Sequence, residues 1–217
     1  LAIAGGVDVP VVLESRSTVL RANFGGHQGR MLAVGDELPI GGLSMSNIEV
    51  SAYLSTLGPP FHPRWFVRTM DLPNSDVATL RIIAATHTAQ LSQSARSLLS
   101  ESEFRISSQS DRMGYRLVDQ PLELEQQQEL HSEGVVPGTI QLPRDGNPIL
   151  LMADCAPTGG YPRIGHVISA DLSSAAQLRP GQLVRFRMVT LEQAQNYFLQ
   201  QRRCLRNALA MVELISR

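Results

Sequence analysis

Apolar residues along this chain come in short runs, and glycine or proline breaks almost every one of them. With 17 glycines and 13 prolines, the punctuation predicts strands and turns through most of the length. Residues 1–42 read as short strands with turns at Gly5-Gly6, Gly25-Gly26, Gly35-Asp36 and Gly41-Gly42. "FHPRWFVRTM" (61–70) is an aromatic-rich irregular or strand segment, and "MDLPNSD" (70–76) is a turn cluster and the best domain boundary. Further strands are predicted at "ATLRIIAAT" (78–86), "FRISSQSD" (104–111), "GYRLVDQPLEL" (114–124), "RIGHVISADL" (163–172) and "QLVRFRMVT" (182–190). "GTIQLP" and "PILLMAD" flank "RDGN", whose Asp145-Gly146 step signals a hairpin.

Two segments change period. "QSARSLLSESE" (93–103) predicts a short helix with Leu98 and Leu99 inward. After Thr190, the residues Ala194, Phe198, Leu205, Ala208, Val212 and Ile215 recur at helical spacing. Thr190 and Gln193 stand in capping-box positions. A long C-terminal helix follows, packed on a sheet or on a partner. "SSAAQL" is one or two further helical turns.

Composition narrows the function classes. Among 217 residues, 43% are hydrophobic and the net charge is −1. No basic excess exists to hold a phosphate backbone, so nucleic acid is not an expected partner. No apolar run reaches the roughly 20 residues of a membrane span, so no membrane partner is expected either. Cys155 and Cys204 suggest neither a disulfide framework nor a zinc site, and a cytoplasmic location is expected. All 19 basic residues are arginine. Without lysine these residues hold no Walker A phosphate loop and no Schiff-base lysine. Charged contacts to a ligand then fall to arginine, which suits bidentate recognition of carboxylates.

Three stretches carry candidate chemistry. "SSQSDRMGYR" (107–116) holds Gln109, Asp111, Arg112, Tyr115 and Arg116. Read as a strand, it puts Ser108 and Ser110 on one face and Ser107 and Gln109 on the other, and Gly114 permits a bulge or the close approach of a ligand. The alternative is a solvated edge with Asp111 paired to Arg112 or Arg116. "MADCAPTGGYPRIG" (152–165) offers Asp154 at a strand end, the Thr158 hydroxyl, and Gly159-Gly160, whose N–H groups at positive φ would form a nest for an anion or a carbonyl oxygen. Pro162 biases Tyr161 toward an extended conformation. The alternative there is an ordinary wide turn. In "GTIQLP", Gln141 faces away from Ile140 and Leu142. A fourth stretch, "ESRSTVLRANFGGHQGR" (14–30), groups Arg16, Arg21 and Arg30 around glycines but matches no dinucleotide fingerprint. The five histidines have no metal spacing, and His166 reads as a core histidine. No metal site is expected.

"AGGVDVP", "SRST", "GGHQGR", "GDELPIG", "SSQSDRMGYRL", "GVVPGTIQLPRDGNPILLMAD" and "TGGYPRIGHVISADL" occur in this order. Together they closely resemble the allophanate hydrolase subunit 2 family, a biotin-dependent carboxyltransferase-like group that includes 5-oxoprolinase subunits and the Kip antagonist. The resemblance implies an all-β fold of cyclophilin-like barrels. Residues 1–75 would be the C-terminal remnant of an incomplete first barrel, and residues 76–217 a second barrel with its C-terminal helix. It implies a subunit-1 or Kip-inhibitor-type companion protein and possibly a third 5-oxoprolinase subunit. The chain departs from the family pattern at Ala156 and Pro157, and at "IAATHTAQ" (83–90).

The resemblance carries a leading function: a subunit of ATP-dependent 5-oxoprolinase, which opens a lactam to glutamate and is inactive as an isolated chain. Arg112 or Arg116 would clamp the substrate carboxylate, and Thr158, Gly159 and Gly160 would donate to the oxyanion. Asp154 or Asp111 would orient water, with Tyr115, Tyr161, Gln109 and Gln141 around them. ATP serves the complex and has no recognisable motif in this chain. The alternatives are a biotin-dependent carboxyltransferase acting on urea or a similar small amide, and a non-enzymatic regulator that binds a Kip-type kinase inhibitor.

Overall fold

The computed structural model describes residues 3–45, 48, 49, 52, 55, 56, 76–126 and 130–215. The chain divides into two compact units, Leu1–Phe66 and Val67–Arg217. The predicted segment 61–70, and the boundary cluster up to residue 75, lie outside the described residues.

In the first unit the predicted strands are not laddered. Its described residues carry isolated bridges, Val7 to Ile40, Val12 to Ser15 and Val19 to Phe24, and one 3-10 turn at Leu20–Ala22. Glycines at positive φ bend the chain too often for longer pairing.

The second unit is a closed barrel of seven strands. The strands in chain order are β1 (Val77–Ile83), β2 (Glu103–Ile106), β3 (Gly114–Val118), β4 (Glu133–Gly134), β5 (Thr139–Gln141), β6 (Ile149–Leu151), β7 (Thr158–Gly159), β8 (Arg163–Val167) and β9 (Leu183–Met188). The barrel order is β1-β8-β5-β6-β3-β2-β9, while β4 and β7 form a separate two-stranded ribbon. Closure comes from the parallel pairing of β1 with β9, from Val77 opposite Leu183 to Ile82 opposite Met188. The two-residue period explains the walls. Ala78, Leu80 and Ile82 of β1 and Val184 and Phe186 of β9 are buried, while Thr79, Arg185 and Arg187 face out. Phe104 and Phe186 meet at 5.6 Å between ring centroids inside the barrel.

Helix α1 (Gln93–Glu101) starts where Ser92 Oγ accepts the Ala95 N–H at 3.1 Å, and it buries Ala95 and Leu99. Leu98 is only partly buried against the core. A 3-10 turn, Ser169–Asp171, leads into α2 (Leu172–Ala175). Helix α3 runs from Leu191 to Ile215. Its capping box forms as the sequence predicts: Gln193 N–H donates to Thr190 Oγ1 at 3.2 Å, and Thr190 N–H donates to Gln193 Oε1 at 3.0 Å. Packing holds its first turns. Ala194 is buried, Arg81 lies 3.8 Å over the Tyr197 ring, and Gln201 Nε2 donates to the Ala170 carbonyl.

The strand predictions overrun, three of them by five residues or more. The segment 104–111 leaves the sheet after Ile106, 114–124 after Val118 and 163–172 after Val167. After Ile106 the side chains of Ser107, Ser110 and Asp111 accept main-chain N–H groups, and beyond Val167 the Asp171 carboxylate accepts the Arg81 N–H. After Val118 the partners are main-chain groups of other segments, as where Leu122 N–H donates to the Gly146 carbonyl.

Candidate functional site

The strand register defines two rims. Gly114 opposes Leu151, Gly138 N–H donates to the Leu151 carbonyl, and Val167 N–H donates to the Gly138 carbonyl; these residues mark the first rim. At the second rim Arg116 opposes Ile149 and Gln141 opposes Ile149 and Arg163. The predicted site residues separate between the two.

At the first rim, residues 107–113 form the loop of the β2–β3 hairpin. Its polar groups mostly serve its own backbone. Ser107 Oγ accepts the Gln109 N–H, Ser110 Oγ accepts the Arg116 N–H at 3.0 Å, and Asp111 Oδ1 accepts the N–H groups of Met113 and Gly114. The expected alternation of Ser107 to Ser110 across strand faces is therefore absent. Gly114 is required by the neighbouring strand, since a Cβ there would stand 2.9 Å from Ile149 Cγ2.

Across from the loop, Asp154 N–H donates to the Arg112 carbonyl at 2.9 Å. Arg112 Nη2 meets both Asp154 oxygens, at 2.8 and 2.9 Å. The pair is open to solvent, with side-chain exposures of 79% and 46%. Gln109 and Arg116 are exposed, and the register of Arg116 opposite Ile149 sets it toward the second rim. Tyr115 belongs instead to the barrel, partly buried against the core cluster, and desolvation raises its phenol pKa.

At the second rim the Gly159-Gly160 reading is corrected. Neither glycine has positive φ, so no nest forms. Gly159 opposes Glu133, and Thr158 opposes Gly134, in the β4–β7 ribbon. Glycine is needed there for proximity. A Cβ on Gly159 would lie 2.5 Å from Gln141 Nε2, and one on Gly160 would lie 3.3 Å from the Leu130 carbonyl oxygen. Gln141 is buried beneath this ribbon, and its Nε2 has no hydrogen-bond partner among the described residues. Tyr161 is half exposed and, with Gly160, borders a groove of about 530 Å³ whose floor includes Leu122, Leu124, Leu130 and Leu142. Glu123, Arg144 and Asp145 edge it.

Sequence reading missed the junction behind this groove. His87 is buried, its Nδ1 accepts the Arg163 N–H at 3.0 Å, and its backbone N–H donates to the Arg163 carbonyl. Arg163 pairs with Glu133. Thr88 Oγ1 donates to the Ile164 carbonyl at 2.8 Å. The departing segment "IAATHTAQ" thus clamps β8. Its partners lie 76 residues away, so spacing gave no signal.

Burial lowers the pKa of His87, with Arg163 a second cause, and burial also lowers that of His166. Below the ordinary value of 6.5, the unfolded chain takes up protons that the folded one resists. Stability from these rings is therefore complete above that pH and is lost as pH falls. We expect the melting temperature to drop between about pH 7 and 5.5, with a shallower slope in His87→Asn, which keeps an acceptor near Nδ1. A melting temperature that is flat or rising on acidification would contradict this.

In the first unit, Arg30 grips Asp36 with two 2.7 Å contacts, Asp36 Oδ2 also accepts the Ala33 N–H, and the carboxyl is held well below the usual range. Arg16 Nε donates to the Val9 carbonyl. These bonds tie the glycine-rich stretch together. Among the described residues, no group of three or more His, Cys, Asp or Glu is placed to hold a metal ion, and no helix is long and apolar enough to cross a membrane.

Residues 1–188 match the family "Carboxyltransferase domain, subdomain A and B", and the chain belongs to that family. It is 39% identical over 194 residues to the C subunit of 5-oxoprolinase from Escherichia coli, and 36% identical over 194 residues to that of Haemophilus influenzae; each match covers 89% of this chain. The chain spans 57% of the length of these relatives. The urea amidolyase of K. lactis shares the fold, with a TM-score of 0.74 at 22% identity, covering 95% of this chain and 13% of that one.

Proposed function

We propose that this chain serves as the C subunit of an ATP-dependent 5-oxoprolinase, opening 5-oxoproline to glutamate together with companion proteins. The observation that carries this reading is the 39% identity to the E. coli protein across 89% of the chain. The ring C–N bond breaks, water supplies the oxygen to the carbonyl carbon and a proton to the nitrogen, and ATP hydrolysis drives the step. ATP is held by a companion, because these residues include no lysine for a phosphate loop. The companions are a Kip-inhibitor-type protein and a third subunit.

The first rim supplies the substrate contacts. Arg112 is exposed enough to turn from Asp154 to a substrate carboxylate, where its planar fork gives two parallel bonds. Asp154, released, orients water or the ring N–H. A second reading, carboxyl transfer to a urea-like amide, is favoured by the family matched over residues 1–188. Both reactions polarise a planar N–C=O group, so the same rim serves either.

The deciding experiment is 5-oxoproline turnover by the chain co-expressed with its companions, with and without ATP, and by the chain alone. ATP-dependent glutamate formation by the complex only is expected. Biotin-dependent carboxylation of urea without lactam opening favours the second reading. Turnover by the isolated chain would contradict the division of labour.

A further inference from the structure

Helix α3 is longer than its own barrel uses. Among the described residues its bonds to the barrel end at Gln201, yet it continues to Ile215, about 21 Å further at 1.5 Å per residue. Phe198, Leu205 and Leu209 fall in one row within about 40° around the helix, and are 41%, 42% and 58% exposed. Arg202 and Arg206 edge that row, and Arg202 stands 5.9 Å over the Phe198 ring. From Gln193 to Met211 the helix has three arginines and no acidic residue.

The groove at the second rim has the complementary character. Its floor is leucine, and Glu123 and Asp145 stand exposed at its edge. Arg144 shares that edge, so the described lining holds two acidic residues against one basic one and is net negative. Among the described residues, none from α3 lines it. Helix and groove belong to opposite ends of β8: α3 is tied to Ala170 beyond Val167, whereas Pro162 of the groove precedes Arg163.

We propose that the free part of α3 seats in this groove of a second copy of the chain. A two-fold axis perpendicular to the barrels sets the helix end of each copy beside the groove end of the other. The contact is then made twice and the assembly closes. Direct pairing of two α3 helices is disfavoured, because it would gather six arginines around one seam. Helix in groove instead brings leucine to leucine and arginine to carboxylate, the arrangement by which amphipathic helices dock.

The test is the mass of the purified full chain by light scattering across a dilution series. We expect twice the 23.7 kDa chain mass at high concentration. Arg202→Glu with Arg206→Glu, or Glu123→Arg with Asp145→Arg, should each raise the dissociation constant at least about tenfold, the size of one lost charged contact. The four changes combined should restore it to within about threefold. Circular dichroism melting checks that each variant is folded. A monomer at every concentration overturns the proposal, whether or not the helix then binds anionic vesicles or a companion protein. A pair that ignores the groove variants, or one that the combined variant fails to restore, overturns it too.

Discussion

Asp171→Ala is expected to lower the melting temperature by about 6–12 °C. Asp171 is 5% exposed. Its Oδ2 accepts the Arg81 backbone N–H at 2.7 Å and Nε at 2.9 Å, and its Oδ1 accepts Nη2. The hydrogen bond to this carboxylate is the main cause of the raised Arg81 pKa. Without it, the guanidinium stays wedged between β1 and the Tyr197 ring with no anion, and an amide loses its acceptor. Removing one partner of a buried pair costs about 3–5 kcal/mol. Arg81 keeps a quarter of its side-chain exposure, so the lower end, about 3 kcal/mol, applies, and a chain of this size moves about 2–4 °C per kcal/mol. Asp171→Asn, which keeps one acceptor oxygen, should cost less. A shift under about 2 °C in the alanine variant would show that solvent replaces the carboxylate and that the pair does not hold α3 to the barrel.

Arg112→Lys should do the opposite, changing kinetics at nearly constant stability. The Arg112–Asp154 pair is solvent-exposed and worth at most about 1 kcal/mol to folding. Lysine keeps the charge and loses the planar fork. If Arg112 clamps the substrate carboxylate, kcat/KM of the reconstituted complex should fall about ten- to a hundredfold, the worth of one charge-assisted contact. Melting measured alongside separates the readings. A lower melting temperature with kinetics preserved in the folded fraction would make Arg112 a structural partner of Asp154. If neither quantity moves, the first rim is not the substrate site.

Local features of this fold were legible because their partners are close in sequence. Thr190 and Gln193 cap each other across three residues, and the Asp145-Gly146 step closes a hairpin in which Ile140 opposes Leu150. Period-two burial in β1 and β9 likewise needs only each strand's own side chains and one apolar interior. The loop 107–113 misled because a period-two reading assigns its side chains to alternate faces of a strand. Here Ser107, Ser110 and Asp111 turn back onto main-chain N–H groups.

By itself, then, the sequence determined the class of fold, the positions of most barrel strands, the C-terminal helix and the exclusion of lysine chemistry. Which candidate residues share a place was decided by tertiary structure. The pairing of β3 with β6 sets Arg112 against Asp154, 42 residues away. Packing of β7 over Gln141 makes Gly159 a matter of space rather than of φ. The groove is assembled from the segments 121–124, 142–146 and 160–162 with Leu130. Such contacts follow from strand order and register around a closed barrel, and no local propensity encodes which distant strand becomes a neighbour.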